Sequence, residues 1–439
     1  MNLTVIYRSI VPLKYRHFFH VGYYVGRITE YFYIKTIRSK HEKALRRLKG
    51  RKTYKCLFMA LFDSVWKYDK VYQLMAENPL FEPIIMVCPV VNYGRENMLD
   101  RMEATYHYFI QKGYHVIKSY SENTDTYIDI RREICPDIIF YTNPYDDLID
   151  KRYHITSYRD FLTVYVPYSI NNSVEYKGNY DLIIHNLVWR HYLPSQYHLD
   201  YSLKYARNRG VNSVMTGFPG IESLIDHHIP SDSAWKIKSA PKMKRIIWAP
   251  HHTIEPVGTV YYSCFLRYCE FMIHLAQKYQ DSVQFVFKPH PLLKNKLELS
   301  WGKEKTDDYY SRWQLMPNTN IHESDYEDLF LTSDAMIHDS GSFIGEYLYV
   351  NKPVMRTLNE VDESEKMNGF AMECISNHYL AYEEADIEQF IQNIINDVDP
   401  LKEKRTKFVE EVLMPKGSPS VNLCNDILSS IEHQTLYHR

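Results

Sequence analysis

The chain has 439 residues, 45% of them hydrophobic and 24% charged, with 15 Gly and 20 Pro; this ordinary globular balance excludes a disordered, collagen-like or disulfide-stapled protein. Its length exceeds what one hydrophobic core organises, which predicts two domains with appendages. The seven cysteines are scattered and never form a Cys-x-x-Cys pair, which excludes a zinc knuckle or redox motif and fits a reducing cytoplasm.

Although the formal net charge is only -2, residues 1–52 carry 13 Lys/Arg against Glu30 and Glu42 alone, so the rest of the chain is acidic. The same segment holds an aromatic run from His17-Phe18-Phe19-His20 to Tyr31-Phe32-Tyr33. Residues 1–52 therefore read as a basic aromatic helical arm, which either lies on an anionic membrane surface or packs its aromatics on the rest of the chain. No apolar run reaches the length of a membrane span, and no secretory cleavage pattern is present. Confinement of the positive charge to one end, without a nucleic-acid-binding signature, argues against nucleic acid as a partner.

From Tyr54 onward, short apolar strands alternate with helical stretches. Lys55–Leu61 reads as a strand, Val65–Asn78 as a helix, Pro83–Val91 as a strand and Arg95–Lys112 as a helix ending at Gly113. Strands at Tyr114–Ile117, Pro136–Tyr141, Phe161–Val166, Tyr180–His185 and Val211–Thr216 follow, with a helix near Tyr127–Ile134; near-continuous apolar runs of this kind mark buried parallel strands. The polar stretch Ile221–Lys244 is the domain boundary. A second series then runs through Ile246–Ala249, a helix at Ser263–Tyr279, Val283–Lys288, a helix at Tyr326–Thr332, Ala335–His338, a helix at Phe343–Tyr349 and Pro353–Met355. Helices at Ile387–Asp397, Leu401–Leu413 and Val421–Glu432 close the chain. The expected architecture is α/β, with one Rossmann-like domain over 53–225, a second over 240–385 and C-terminal helices over 386–439.

Three strand ends in the second domain carry chemistry. The segment His338-Asp339-Ser340-Gly341-Ser342, between a strand and a helix, offers small residues, hydroxyls and a helix start to an anion. Glu346, one turn on, is placed to accept from ribose hydroxyls. In Lys288-Pro289-His290-Pro291 the prolines present His290 at the carboxyl edge, where open α/β sheets bind ligands. Trp248-Ala249-Pro250-His251-His252-Thr253 adds two imidazoles and a hydroxyl, of which His251 is favoured by proximity to the strand. These residues read as a diphosphate site, with His290 and His251 stabilising the departing charge and Lys288, His252, Thr253, Asp339, Ser340, Gly341, Ser342 and Glu346 holding the donor. No metal-ligand spacing is evident.

Together, Trp248–Thr253, Lys288–Pro291, Asp339–Ser342 with Asn351-Lys352-Pro353-Val354, and Thr216-Gly217-Phe218-Pro219 resemble the CDP-glycerol glycerophosphotransferase family of teichoic acid and capsule polysaccharide synthesis. The resemblance implies a GT-B fold and a donor, either a CDP-alcohol or a nucleotide sugar, bound in the second domain without a tightly bound cofactor, although Mg²⁺ can accompany its phosphates. It also implies a lipid-linked or polysaccharide acceptor on the first domain, and a cytoplasmic protein peripheral on the inner face of the cell membrane. The family's acceptor-side Trp-His-Gly segment has no counterpart here. Tyr165-Val166-Pro167-Tyr168-Ser169-Ile170-Asn171-Asn172 stands in its place, which nominates Tyr168, Asn171 and, from a neighbouring strand end, Asn143 as acceptor-binding residues. The competing readings are a nucleotide-sugar epimerase of related fold, whose phosphate loop also reads Asp-Ser-Gly, and a catalytically inactive membrane-associated assembly protein.

Overall fold

The computed structural model describes residues 16–225, 229–238, 242–255, 262–359, 364–414 and 416–437, with side chains from residue 27 onward. Two fully parallel sheets organise it. The first comprises β1 (Tyr54–Ala60), β2 (Phe81–Val87), β3 (Val116–Lys118), β6 (Ile138–Tyr141), β7 (Leu162–Tyr165), β8 (Arg190–Leu193) and β9 (Ser213–Met215), in the order β3-β2-β1-β6-β7-β8-β9. A separate hairpin pairs β4 (Tyr120–Ser121) with β5 (Thr126–Tyr127). The second sheet comprises β10 (Lys244–Ala249), β11 (Val283–Phe287), β12 (Thr319–Ile321), β13 (Ala335–His338), β14 (Val354–Thr357) and β15 (Tyr379–Ala381), in the order β12-β11-β10-β13-β14-β15.

The central strands are apolar on both faces, and Ile246, Ile247, Ile337, Leu57 and Phe58 are all fully buried, as expected for strands covered by helices on both sides. Each sheet grows outward from its first strand and then reverses. The reversal lies between β1 and β6 in one sheet and between β10 and β13 in the other, and at such a switch point the loops diverge and leave a crevice at the carboxyl edge. The result is two Rossmann-like domains in a GT-B-like arrangement. The last helix, Pro419–Glu432, crosses back and packs on the Asp69–Glu77 helix of the first domain.

Several expectations need correction. The segment Tyr180–His185 is not a strand; short helices occupy Tyr176–Tyr180 and Ile183–Leu187, and the strand is Arg190–Leu193. Its hydropathy is unhelpful because Arg190 is fully buried by pairing with Asp426 of the last helix at 2.8 Å. The guanidinium also donates to Ser430 Oγ at 2.6 Å and to the Leu436 carbonyl at 2.5 Å. The helix near Tyr127–Ile134 is a hairpin strand followed by one wide turn at Ile130–Ile134. Helices Leu293–Trp301 and Lys303–Leu315, strand β12, helix Gly369–Ile375 and strand β15 were not anticipated from periodicity.

The basic arm is one helix, Arg16–Leu48; the side chains of His17-Phe18-Phe19-His20 lie outside the described residues. Its second half buries Ile37, His41, Ala44, Leu45 and Leu48, a spacing that draws one stripe along a helix, and it contacts the Ile183–Leu187 helix and β7. Further toward the start, Ile28, Tyr31 and Phe32 remain 57%, 55% and 58% exposed. No helix among the described residues is long and apolar enough to cross a membrane.

Removing one partner of a buried ion pair leaves the other charge uncompensated. Arg190→Ala is therefore expected to cost about 3–5 kcal/mol of stability, read as a lowered urea midpoint; a loss below about 1 kcal/mol would show that the pair does not anchor the last helix.

Candidate functional site

The switch point of the second sheet is flanked by the loops that leave β10 and β13, with the loop of β11 beside them. The β10–β11 ladder continues past the strands, because His290 N–H donates to the Pro250 carbonyl at 3.0 Å. This draws the His-Pro loop against the His-His turn. The ring centroids of His251 and His252 are 4.4 Å apart, those of His251 and His290 5.0 Å, and those of His252 and His290 4.2 Å.

Asp339 holds the β13 loop to this cluster. It is 2% exposed, and its carboxylate accepts the backbone N–H of His251 from one oxygen and that of Cys264, at 2.6 Å, from the other. Burial raises its pKa to about 6. Both oxygens are engaged by the protein, and Asp339 is the clasp that fixes the His251 turn and the start of the Phe265–Lys278 helix.

Ring nitrogens in the cluster have assigned roles. The Thr253 backbone N–H donates to His251 Nδ1 at 3.4 Å, and the Thr253 hydroxyl, which accepts from Tyr262 N–H at 2.9 Å, lies 2.9 Å from the same nitrogen. His290 Nδ1 accepts from Leu292 N–H at 3.1 Å. A neutral imidazole whose Nδ1 accepts must carry its proton on Nε2, and both rings are neutral: burial, then the neighbouring imidazoles, hold His251 near pKa about 3, while burial, His252 and Lys288 hold His290 near about 4. His252 is also lowered by burial and by Lys296. The three rings offer nitrogen atoms within 4.8 Å of one another, a spacing that suits a metal ion. The set presents N–H donors and fits an anion.

Ser340 and Gly341 complete the corner. Arg356, at the end of β14 and 1% exposed, donates to the Ser340 carbonyl at 3.1 Å, and its guanidinium lies 5.6 Å from the Tyr262 ring. A Cβ on Gly341 would come within 3.3 Å of that ring, so a side chain here would crowd the loop. Ser342 is exposed and its hydroxyl makes no capping bond. The expected helix start contributes less than the sequence suggested. Phe343–Glu346 is a single α-turn followed by the tighter turn Tyr347–Val350, too short to sum an appreciable dipole.

Two further residues expected at the site have partners within the protein. The Lys288 ammonium donates to the Ser324 carbonyl at 2.6 Å, and burial lowers its pKa to about 8, so it braces a neighbouring loop. Glu346 is 6% exposed, its pKa raised by burial, with Lys67 and the Tyr326 hydroxyl as its counterparts; it sits in the seam toward the first domain.

On the acceptor side, Asn143 Oδ1 accepts from Tyr145 N–H at 2.9 Å and forms a local turn, while the Tyr168 and Tyr145 hydroxyls lie 3.3 Å apart. The Asn171 carbonyl receives His198 Nε2 at 3.2 Å and the Asn368 amide at 2.9 Å, and its side chain accepts from Ser173 N–H at 2.8 Å. Asn171 is thus an internal brace. The next residue reaches the donor corner: Asn172 Nδ2 donates to the Gly341 carbonyl at 2.9 Å. Asn172, Arg356 and Tyr262 were missed, and only the alternation of side chains beyond a strand end distinguishes Asn172 from Asn171.

Comparison with known proteins follows the same line. The profile of the family described as CDP-glycerol:poly(glycerophosphate) glycerophosphotransferase matches residues 201–428. No curated protein matches the chain. The wall teichoic acid polymerase TagF is similar in structure, with 14% identity, coverage of 94% of this chain and 99% of that chain, and a TM-score of 0.52. UDP-GlcNAc 2-epimerase from Neisseria meningitidis, bound to UDP-GlcNAc, covers 85% and 99% at 14% identity and TM-score 0.54. The MnaA–UDP complex of S. aureus covers 85% and 96% at 15% identity and TM-score 0.51. At these identities the likeness establishes the fold.

The corner also sets a pH dependence. His251 and His290 have folded pKa values depressed below the unfolded value of about 6.5, so their contribution to stability is present above about pH 6.5 and is lost as pH falls toward about 4. Asp339 acts oppositely: raised to about 6, it favours the fold below the unfolded carboxylate value, and that contribution disappears as pH rises through about 6. Calorimetry of the His251→Gln/His290→Gln variant is expected to show a smaller drop in Tm than the parent between about pH 7 and pH 4; an equal drop would show that these rings are not buried neutral.

Proposed function

The chain belongs to the CDP-glycerol:poly(glycerophosphate) glycerophosphotransferase family and is a transferase of that type, and from this premise we propose that it moves a glycerol-phosphate or related polyol-phosphate unit from a nucleotide-activated donor at the His251–His290 corner to a lipid-linked or polysaccharide acceptor in cell-surface polymer synthesis. The observation that supports this reading most directly is the meeting of His251, His290 and the Ser340–Ser342 loop at the switch point of one sheet, held there by Asp339.

With a CDP-alcohol as donor, the acceptor oxygen attacks the phosphorus that bears the alcohol. A new P–O bond forms, the bond to the CMP oxygen breaks, and CMP leaves carrying the electron pair and its negative charge; the acceptor proton passes to a base. Nε2–H of His251 and of His290 donate to the diphosphate oxygens on which that charge grows. Fixed donors aimed at developing charge need no reorganisation during the step. Because neither ring carries an extra proton near neutral pH, their role is hydrogen bonding in place of proton delivery. Ser340, Gly341 and Ser342 frame the phosphates, and His252 and Thr253 complete the wall. A donor can bring Mg²⁺ on its own phosphates; the corner has no unengaged carboxylate with which Asp339 would hold one.

The acceptor belongs on the first domain, beside the Tyr168–Asn172 segment, which approaches the donor loop through Asn172. The reading also places the protein in the cytoplasm, on the inner face of the membrane; supporting this are the exposed Ile28, Tyr31 and Phe32 next to Lys35 and Arg38 on the N-terminal helix, an apolar face beside basic residues that suits an anionic surface.

The test is turnover of CDP-glycerol, followed as CMP release. Loss of one fixed donor at a developing anion costs on the order of 10²–10³ in rate, so His290→Ala and His251→Ala are each expected to lose about that factor while circular dichroism stays that of the parent. Full CMP release by either variant would remove that ring from the site. Failure of CDP to raise the Tm of the parent would overturn the choice of nucleotide.

A further inference from the structure

A second concave surface lies along the free edge of the first sheet, and none of its lining residues belongs to the donor corner. It is a groove of ≈ 900 Å³ between β9, the Gln196–Tyr205 helix, the last helix and the N-terminal helix. Its apolar wall includes Leu203 and Val211, which are left 48% and 43% exposed, together with Leu436. Three cations line it, Arg209, Lys416 and Arg38, the last also paired with Glu42 at 3.2 Å in an exposed i,i+4 bridge.

The charge here is one-sided. The single acid among the lining residues is Asp426, and its carboxylate is already bound by the buried Arg190 at 2.8 Å and by the Tyr192 hydroxyl at 2.7 Å. Arg209 sits at φ +58, a backbone conformation uncommon for a residue with a side chain, and it is exposed at the groove mouth. Apolar walls below a cationic rim complement an amphiphile with a phosphate head, and a volume of this size accommodates a small-molecule ligand.

Peptide addition to the edge strand is disfavoured, because two carbonyls at this edge are already engaged. Met215 accepts from Lys416 Nζ at 3.3 Å and Thr216 from Asn422 Nδ2 at 3.1 Å, whereas strand addition needs a row of unpaired backbone groups. The groove also shares a helix with the face proposed to meet the membrane. Arg38 lines it, and Tyr31, seven residues earlier on the same helix, lies two turns away on the same side.

We propose that this groove is a lipid site, which takes the phosphate head and adjoining acyl chain of an anionic phospholipid, with Arg209, Lys416 and Arg38 on the phosphate and Leu203, Val211 and Leu436 along the chain. The inference rests on the reading of the N-terminal helix as membrane-facing and adds to it a specific receptor. Binding of one lipid at a fixed place then sets the orientation of the first domain on the surface, beyond what a basic stripe achieves.

The full-length protein is tested with dihexanoylphosphatidylglycerol below its micelle concentration, with dihexanoylphosphatidylcholine and inorganic phosphate in parallel arms, and separately with vesicles of phosphatidylcholine containing phosphatidylglycerol. The glycerol lipid is expected to raise Tm where the other two do not, and Arg209→Glu/Lys416→Glu to weaken its binding by roughly tenfold or more, with CMP release from CDP-glycerol in solution unchanged. Tyr31→Ser/Phe32→Ser is expected to lose vesicle binding and keep the soluble-lipid shift. An undiminished shift in the charge-reversed variant, or an equal shift with phosphate alone, overturns the lipid site while leaving the membrane reading intact. If the parent ignores vesicles yet shows the charge-dependent shift, the membrane reading fails and the groove stands as a receptor for a soluble anionic amphiphile.

Discussion

One buried carboxylate determines the shape of the donor corner. Removing Asp339 from water penalises its charged form, and two backbone N–H groups, with the Arg356 charge nearby, offset that penalty only in part, so its pKa remains raised. What this arrangement achieves is positional. The loops after β10 and β13, and the start of the Phe265–Lys278 helix, cannot move independently while both N–H groups are bound to one side chain.

The electrostatics that result differ from those of a cluster of cations. Three imidazoles packed within contact distance cannot all be charged in a partly buried space, and each is pushed toward the neutral form. Their hydrogen bonds to Thr253 and Leu292 then select the tautomer. His251 and His290 thereby offer oriented N–H dipoles at no cost in protons. Formal positive charge acts on the rings from Arg356, whose guanidinium donates to the Ser340 carbonyl, and from Lys288 and Lys296.

The loops of the two domains are also joined to each other. Asn172 ties to Gly341, and its carbonyl accepts from Asn368 N–H at 3.0 Å. Ser173 pairs with Met367 in an isolated bridge, and Val174 N–H donates to the Lys366 carbonyl at 3.1 Å. The segment expected to hold an acceptor is therefore seated on loops of the donor domain. The last helix, locked by Arg190, ties the end of the chain back to the first domain.

Much of the fold was legible because buried parallel strands are apolar on both faces; β1, β6, β7, β10, β11 and β13 announced themselves, and the three chemical loops were found as the segments that follow β10, β11 and β13. Strand β8 was not legible, since its burial depends on an ion pair with a residue 236 positions away. The sequence by itself determined which residue types stand at the carboxyl edge of the second sheet. Only the tertiary structure decided their roles: that Asp339 and Lys288 are braces, that Asn172 and not Asn171 faces the donor loop, and that the imidazoles are neutral donors. Roles of that kind are set by desolvation and by hydrogen bonds between strand ends far apart in the chain, quantities that no local pattern of residues encodes.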